Sequence, residues 1–198
     1  MGLVSRFTQP QGLGDANAKV RWAACQALGQ MCTDLGPEIQ QQHHATILPA
    51  LMSAMTDFNA PRVQAHASAA VVNFSEACNQ TVLAPYLNTL IGMLVQLLQR
   101  GQRIVQEGAL TALASVADAS QQHFESYFDA VVPLLTNILT HATDKSNRLL
   151  RAKALECISL VGMAVGRERF RNHAHEVMKF ISMMQVIGGY WLYHVWAC

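Results

Sequence analysis

Apolar positions along the chain recur at helical spacing, and no segment sustains the two-residue alternation of a half-buried strand. Four segments share one pattern. Val20 is followed by Ala24 and Leu28, Val63 by Ala67 and Val71, Val105 by Ala109 and Leu113, and Leu150 by Ala154 and Ile158. Each is an i, i+4, i+8 stripe with a small residue at its centre, the mark of a helix that meets a neighbour closely. The four anchors Val20, Val63, Val105 and Leu150 stand 43, 42 and 45 residues apart.

A second apolar helix follows each of these, over 38–56, 82–100, 122–141 and 168–185, with turns at Leu35-Gly36-Pro37, 57–61, Arg100-Gly101 and 143–147. Pro85 suits a first helical turn, where its missing N–H costs nothing, whereas Pro49 and Pro133 sit deeper in their runs and predict a kink or a late start. Two helices per repeat at this period is the HEAT or armadillo pattern. The expected fold is all-α: a right-handed α-solenoid of about four HEAT repeats, each an antiparallel helix pair. The repeats are expected at 15–57, 58–101, 102–144 and 145–185, after an N-terminal extension (1–14) and before an atypical aromatic tail (186–198).

Composition narrows the function. Apolar residues make up 51% of the chain and charged residues 14%, which excludes a disordered chain. With 14 Lys+Arg against 13 Asp+Glu there is no basic excess to neutralise phosphates, so nucleic acid is not an expected partner. Cys25, Cys32, Cys78, Cys157 and Cys198 are odd in number and show no CxxC spacing; they read as small hydrophobes in a reducing compartment. No signal peptide is evident, and the apolar C-terminal stretch is too short for a bilayer, so no membrane partner is expected. The sequons at Asn73 and Asn79 then count as chance.

The stretches Gly14–Ala24, Pro61–Ala67, Gln106–Asp118 and Leu149–Met163 resemble middle repeats of the karyopherin-β family, closest to its importin beta-3 type. The resemblance runs from about Gly14 to Gln185, and family members are several times longer, so the chain reads as a central fragment. It stops at the tail, which reads as an aberrant continuation or as an aromatic cap. What the resemblance implies is a nuclear import receptor: protein cargo with basic localisation signals, Phe-Gly nucleoporins as pore partners, and residence in cytoplasm and nucleus. The family's N-terminal repeats, which grip Ran-GTP, are expected to be absent here.

Residues that could carry chemistry are few. His43-His44 and His173-Ala-His175 diverge around a helix and cannot chelate as an i, i+4 pair does, so no metal is expected. Cys157 lies on an apolar stripe, no GxSxG occurs, and Gly12-Leu-Gly14 lacks a preceding strand. Neither an enzyme nor a cofactor is expected. Arg167-Glu-Arg169-Phe-Arg171, near Arg148 and Arg151, reads as solvated helix ends, and Asp15 with Arg21 as part of an inter-repeat ladder, with Arg62, Arg103 and Arg151 nearby. Trp22 reads as packing.

Binding is the remaining possibility. On the second helices Asp129, Thr136 and Thr140 share one direction, with Asn137 to one side; Asn88 and Gln99 align likewise, flanked by Gln96. The resemblance places second helices on the concave face, which makes these seven residues the candidate cargo contacts, with Asp129 pairing a lysine or arginine. The alternative is a stand-alone HEAT scaffold or regulatory subunit without a transport role, or a truncated non-functional product.

Overall fold

The computed structural model describes residues 2–8 and 12–187, and the greater part of the predicted tail lies outside them. Ten α-helices follow one another: α1 (Leu3–Thr8), α2 (Ala18–Asp34), α3 (Glu38–Met55), α4 (Pro61–Glu76), α5 (Gln80–Leu83), α6 (Leu87–Arg100), α7 (Arg103–Ser120), α8 (Phe128–His141), α9 (Arg148–Val165) and α10 (Arg167–Ile187). Local chemistry sets several boundaries. The Asn17 side chain caps α2 by accepting from the Lys19 N–H at 2.9 Å, Pro61 opens α4 where no N–H is needed, and Gly166 separates α9 from α10 at φ 83°.

Two of the second helices start late. A 3-10 turn at Ala84–Tyr86 holds Pro85 ahead of α6, and a longer one at Gln121–Tyr127 precedes α8, so Pro133 falls near the start of its helix. Pro49 instead lies well inside α3, which runs on through it. Residues 80–100 are apolar enough by length and composition to cross a bilayer. The turn at Pro85 interrupts them, and Leu83, Leu87, Leu90, Leu94 and Leu97 are spent on the protein's own core.

The first helices form one continuous row, with α2 packed on α4, α4 on α7 and α7 on α9. These are the most extensive helix–helix contacts in the chain, and small residues permit them: Ala24, Ala67, Ala109 and Ala154, one per repeat, are all buried. Where α2 crosses α4 the approach is closer still, since a Cβ on Gly29 would lie 3.2 Å from the Ala70 Cα. The second helices touch one another far less, α3 meeting α6 over a short stretch. Each packs instead on the first helix that follows it, α3 on α4, α6 on α7 and α8 on α9. α3 also touches α2, less extensively, and α1 lies against α2 and α3 at one end.

A repeated polar clamp ties these units together. The residue after each anchor is Arg21, Gln64, Gln106 or Arg151, and each donates to carbonyls of the segment just before it. Arg21 reaches Asp15 O (2.7 Å) and Ala16 O (2.9 Å); Gln64 Nε2 reaches Met55 O (2.9 Å); Gln106 Nε2 reaches Leu98 O (2.8 Å); Arg151 reaches Ala142 O and Asp144 O. In repeats two and three the ladder position is thus a glutamine, and the nearby Arg62 and Arg103 take no part. Arg21 also pairs with Asp57 Oδ2 at 2.6 Å, in the turn between α3 and α4, rather than with the Asp15 carboxylate. Gln64→Ala strands a buried helix-end carbonyl and is expected to lower stability by about 1–3 kcal/mol in a urea titration.

Candidate functional site

The first helices form the closely packed row, and the second helices, which touch one another far less, form a looser, outer row. The seven expected contacts lie in the outer row. Asn88, Gln96 and Gln99 are on α6, and Asp129, Thr136, Asn137 and Thr140 on α8; all are exposed except the half-buried Thr136. Several are already engaged within the chain. Asp129 Oδ2 accepts from Arg169 at 2.6 Å, with the guanidinium 5.3 Å above the Phe128 ring, and the Thr140 hydroxyl turns back to Thr136 O and Asn137 O at 3.0 and 3.1 Å.

A different polar surface emerges on the first helices. The positions six and ten residues after each anchor are Gln26 and Gln30, Ala69 and Asn73, Thr111 and Ser115, Glu156 and Leu160. At 100° per residue both columns point roughly opposite to the apolar stripe, and none of these residues is fully buried. Acidic residues stand at the C-terminal ends of the same helices, Asp34 on α2, Glu76 on α4 and Asp118 on α7, all exposed. Gln30 Nε2 donates to Asp34 Oδ1 at 2.8 Å, and no cation pairs with the three carboxylates among the described residues. The surface is held rigid from within the row: Lys153 Nζ on α9 donates to Thr111 Oγ1 on α7 at 2.6 Å, and Ser115 Oγ to Val72 O at 3.4 Å.

Among the described residues, no cysteine is activated as a nucleophile. Cys25, Cys32 and Cys157 are fully buried, and burial pushes the first two thiols up to about 12, the half-buried Cys78 up to about 11, and Cys157 higher still. Three histidines pack against aromatic residues: His44 Nδ1 lies 2.9 Å from the Tyr86 hydroxyl, His66 stacks on Trp22 at 5.1 Å, and His173 packs edge-on to Phe128. Because the folded thiols stay protonated while unfolded ones ionise near their ordinary value, stability falls as pH rises above about 9, by about 1.4 kcal/mol per pH unit for each thiol held protonated. Melting curves at pH 8 and pH 10.5 are expected to show the lower Tm at pH 10.5.

A family model described as RNAPII transcription regulator C-terminal matches residues 39–162, and a HEAT repeat model matches residues 11–35, which include α2. Importin subunit beta-3 of Saccharomyces cerevisiae is 42% identical over 173 residues, covering 87% of this chain and 16% of the relative. A probable importin-5 homolog of Dictyostelium discoideum is 31% identical over 100 residues, 50% of this chain and 9% of its own length. The crystal structure of Kap121p bound to Pho4p matches with a TM-score of 0.84 at 41% identity, over 89% of this chain and 17% of that one. Kap121p bound to Nup53p gives 0.83 at 41% identity, over 88% and 16%. The chain thus spans about a sixth of the yeast relative's length. The transcription-regulator model covers the same helical stack from α3 into α9, whereas the importin match extends over nearly all of it. The chain belongs to the karyopherin-β family as an importin beta-3-type stretch of HEAT repeats, and its residues 39–162 fall also within the RNAPII transcription regulator C-terminal family.

Proposed function

We propose that this stretch is part of the cargo-binding surface of a nuclear import receptor, and that cargo lies on the first-helix face. The carrying observation is the pair of polar columns ending in Asp34, Glu76 and Asp118, on rigid helices and facing away from the core. Amides at Gln26, Gln30 and Asn73 hydrogen-bond the backbone of an extended segment, and the carboxylates take its lysines or arginines. Similarity to a karyopherin with solved complexes of Pho4p and Nup53p supports a protein ligand. No covalent step is required. In the full receptor, Phe-Gly nucleoporins engage the outer grooves, Ran-GTP releases cargo through other repeats, and the receptor moves between cytoplasm and nucleus.

Fluorescence anisotropy of a labelled lysine-rich peptide with the purified chain tests this. Saturable binding that weakens with salt and is not displaced by Ran-GTP is expected. A helical, monodisperse chain that fails to bind would leave a HEAT scaffold without a transport role as the better description.

A further inference from the structure

The first helices carry their charges against the helix dipole. A helix favours acidic residues in its first turn and basic residues in its last. None of α2, α4, α7 and α9 has an acidic residue in the first turn or a basic one in the last. Their first turns hold Lys19, Arg62, Arg103 and Arg148 instead, one or more cations in each of four successive repeats. Each second helix carries at least one charge in the ordinary sense, with Glu38, Asp129 and Glu168 in first turns and Arg100 and His141 in last ones, although α10 also opens on Arg167 and Arg169. The consistent lack of first-turn acids and last-turn bases is therefore a feature of the row that forms the proposed cargo face, and it costs folding stability, a departure of the kind expected where function sets the residue.

The basic edge also has shape. A cavity of about 500 Å³ opens between the starts of α2, α4 and α7, bordered by Lys19, Trp22, Pro61, Arg62, Gln102 and Ile104. One wall is the Trp22 ring, stacked on His66 with 27° between the planes, and Ile104 opposite is 52% exposed. Lys19, Arg62 and Arg148 have no side-chain hydrogen bond or ion pair among the described residues, while Arg103 is held by Glu107 at 3.2 Å.

We infer that this N-terminal edge is an interaction surface for an acidic, extended segment of a partner protein, whose carboxylates meet Lys19, Arg62 and Arg148 while one of its apolar side chains enters the cavity beside Trp22. Charge complementarity selects the occupant: the unpaired Lys19 and Arg62 border the apolar pocket, Arg148 continues the basic edge at the start of α9, and three helix N-termini add positive potential. The inference rests on the cargo reading in one respect, that the same partner lays its basic residues on the opposite, acidic edge. That geometry fixes a spacing. Lys19 and Asp34 are fifteen residues apart on α2, about 22 Å, which an extended chain spans with about seven residues. A partner suited to both edges carries a basic and an acidic cluster separated by about that distance.

Four labelled peptides test it against the full chain by anisotropy at low salt. They are a lysine-rich segment alone, the same segment joined to four glutamates and a leucine by a seven-residue neutral spacer, the same with a two-residue spacer, and the acidic part alone. The long-spacer peptide is expected to bind about tenfold tighter than the lysine-rich one, and the short-spacer peptide no tighter, because only the long spacer reaches both edges. K19E/R62E/R148E is expected to erase the gain, leave the lysine-rich peptide's affinity unchanged, and raise Tm, since it restores the dipole preference. If the lysine-rich peptide does not bind but the acidic part does, and the triple variant loses it, the cargo reading fails and this inference stands. A long-spacer peptide no tighter than the lysine-rich one, or a gain that survives in the triple variant, overturns it.

Discussion

Asp34→Lys with Glu76→Lys is expected to abolish measurable binding of a lysine-rich peptide, while Asp129→Lys leaves it unchanged. Asp34 and Glu76 end adjacent helices of the tightly packed row, exposed and without a paired cation among the described residues. Each reversal replaces an attraction by a repulsion, at roughly 1.4–2.8 kcal/mol per site, or about 10- to 100-fold. The two together exceed the range that a weak peptide complex can lose and still be detected. Asp129 differs in layer and in partner: it lies on the outer row and already pairs with Arg169 at 2.6 Å. Because that pair is exposed, its loss costs little stability, and the variant serves as a folded control. Loss of binding in Asp129→Lys together with retention in the double variant would return the site to the outer helices.

Phe74→Ala is expected to cost about 3–5 kcal/mol, the largest effect of a single truncation in this chain. Phe74 is fully buried at the C-terminal end of α4, the helix that packs on α2, α3 and α7 at once. Its own carbonyl is a partner of Gln40, whose Nε2 also reaches Cys32 O at 2.9 Å, so the ends of α2 and α4 are tied at this point. A cavity here loosens both neighbours, because each repeat of a solenoid is stabilised only through adjacent ones. Urea titration followed by circular dichroism measures the loss, and a drop under 1 kcal/mol would show that the repeats are far less coupled than their packing implies.

Much of the fold was legible because helical periodicity reports directly which face of a helix is apolar. The stripes at Val20, Val63, Val105 and Leu150 marked four helices that do form the stacked row, and the buried alanines four residues later are its closest contacts. Periodicity does not report which neighbour an apolar face meets. That α3 packs more extensively on α4 than on α2, and that the first helices rather than the second form the continuous row, depend on contacts between helices that periodicity within one helix cannot show. The clamp at Gln64 and Gln106 was hidden for a related reason: a glutamine can replace arginine where the role is to donate to a buried carbonyl, and a search for charge passes over it.

The proposed surface on the first helices is harder to read from the sequence. Its residues are scattered amides, hydroxyls and carboxylates among alanines, and in one helix alone they look like a solvated face. A signal was available in register, since Gln26, Thr111 and Glu156 stand six residues after their anchors and Gln30, Asn73 and Ser115 ten after theirs. Aligning the repeats on the anchors and reading the positions opposite the stripe would have found it. The stripe on α6 and α8 drew attention instead because those helices are strongly amphipathic, and amphipathicity is equally the property of an outer layer packed on one side.

The measurement that bears most directly on the account is site-specific photocrosslinking of a bound lysine-rich peptide, with a benzophenone side chain placed at Gln26 on the first-helix row or at Asn88 on the outer row. Both positions are exposed and neither substitution disturbs the core. The account predicts a peptide adduct from position 26, competed by unlabelled peptide, and none from position 88. An adduct from position 88 with none from position 26 would contradict it and would place the binding surface on the outer helices.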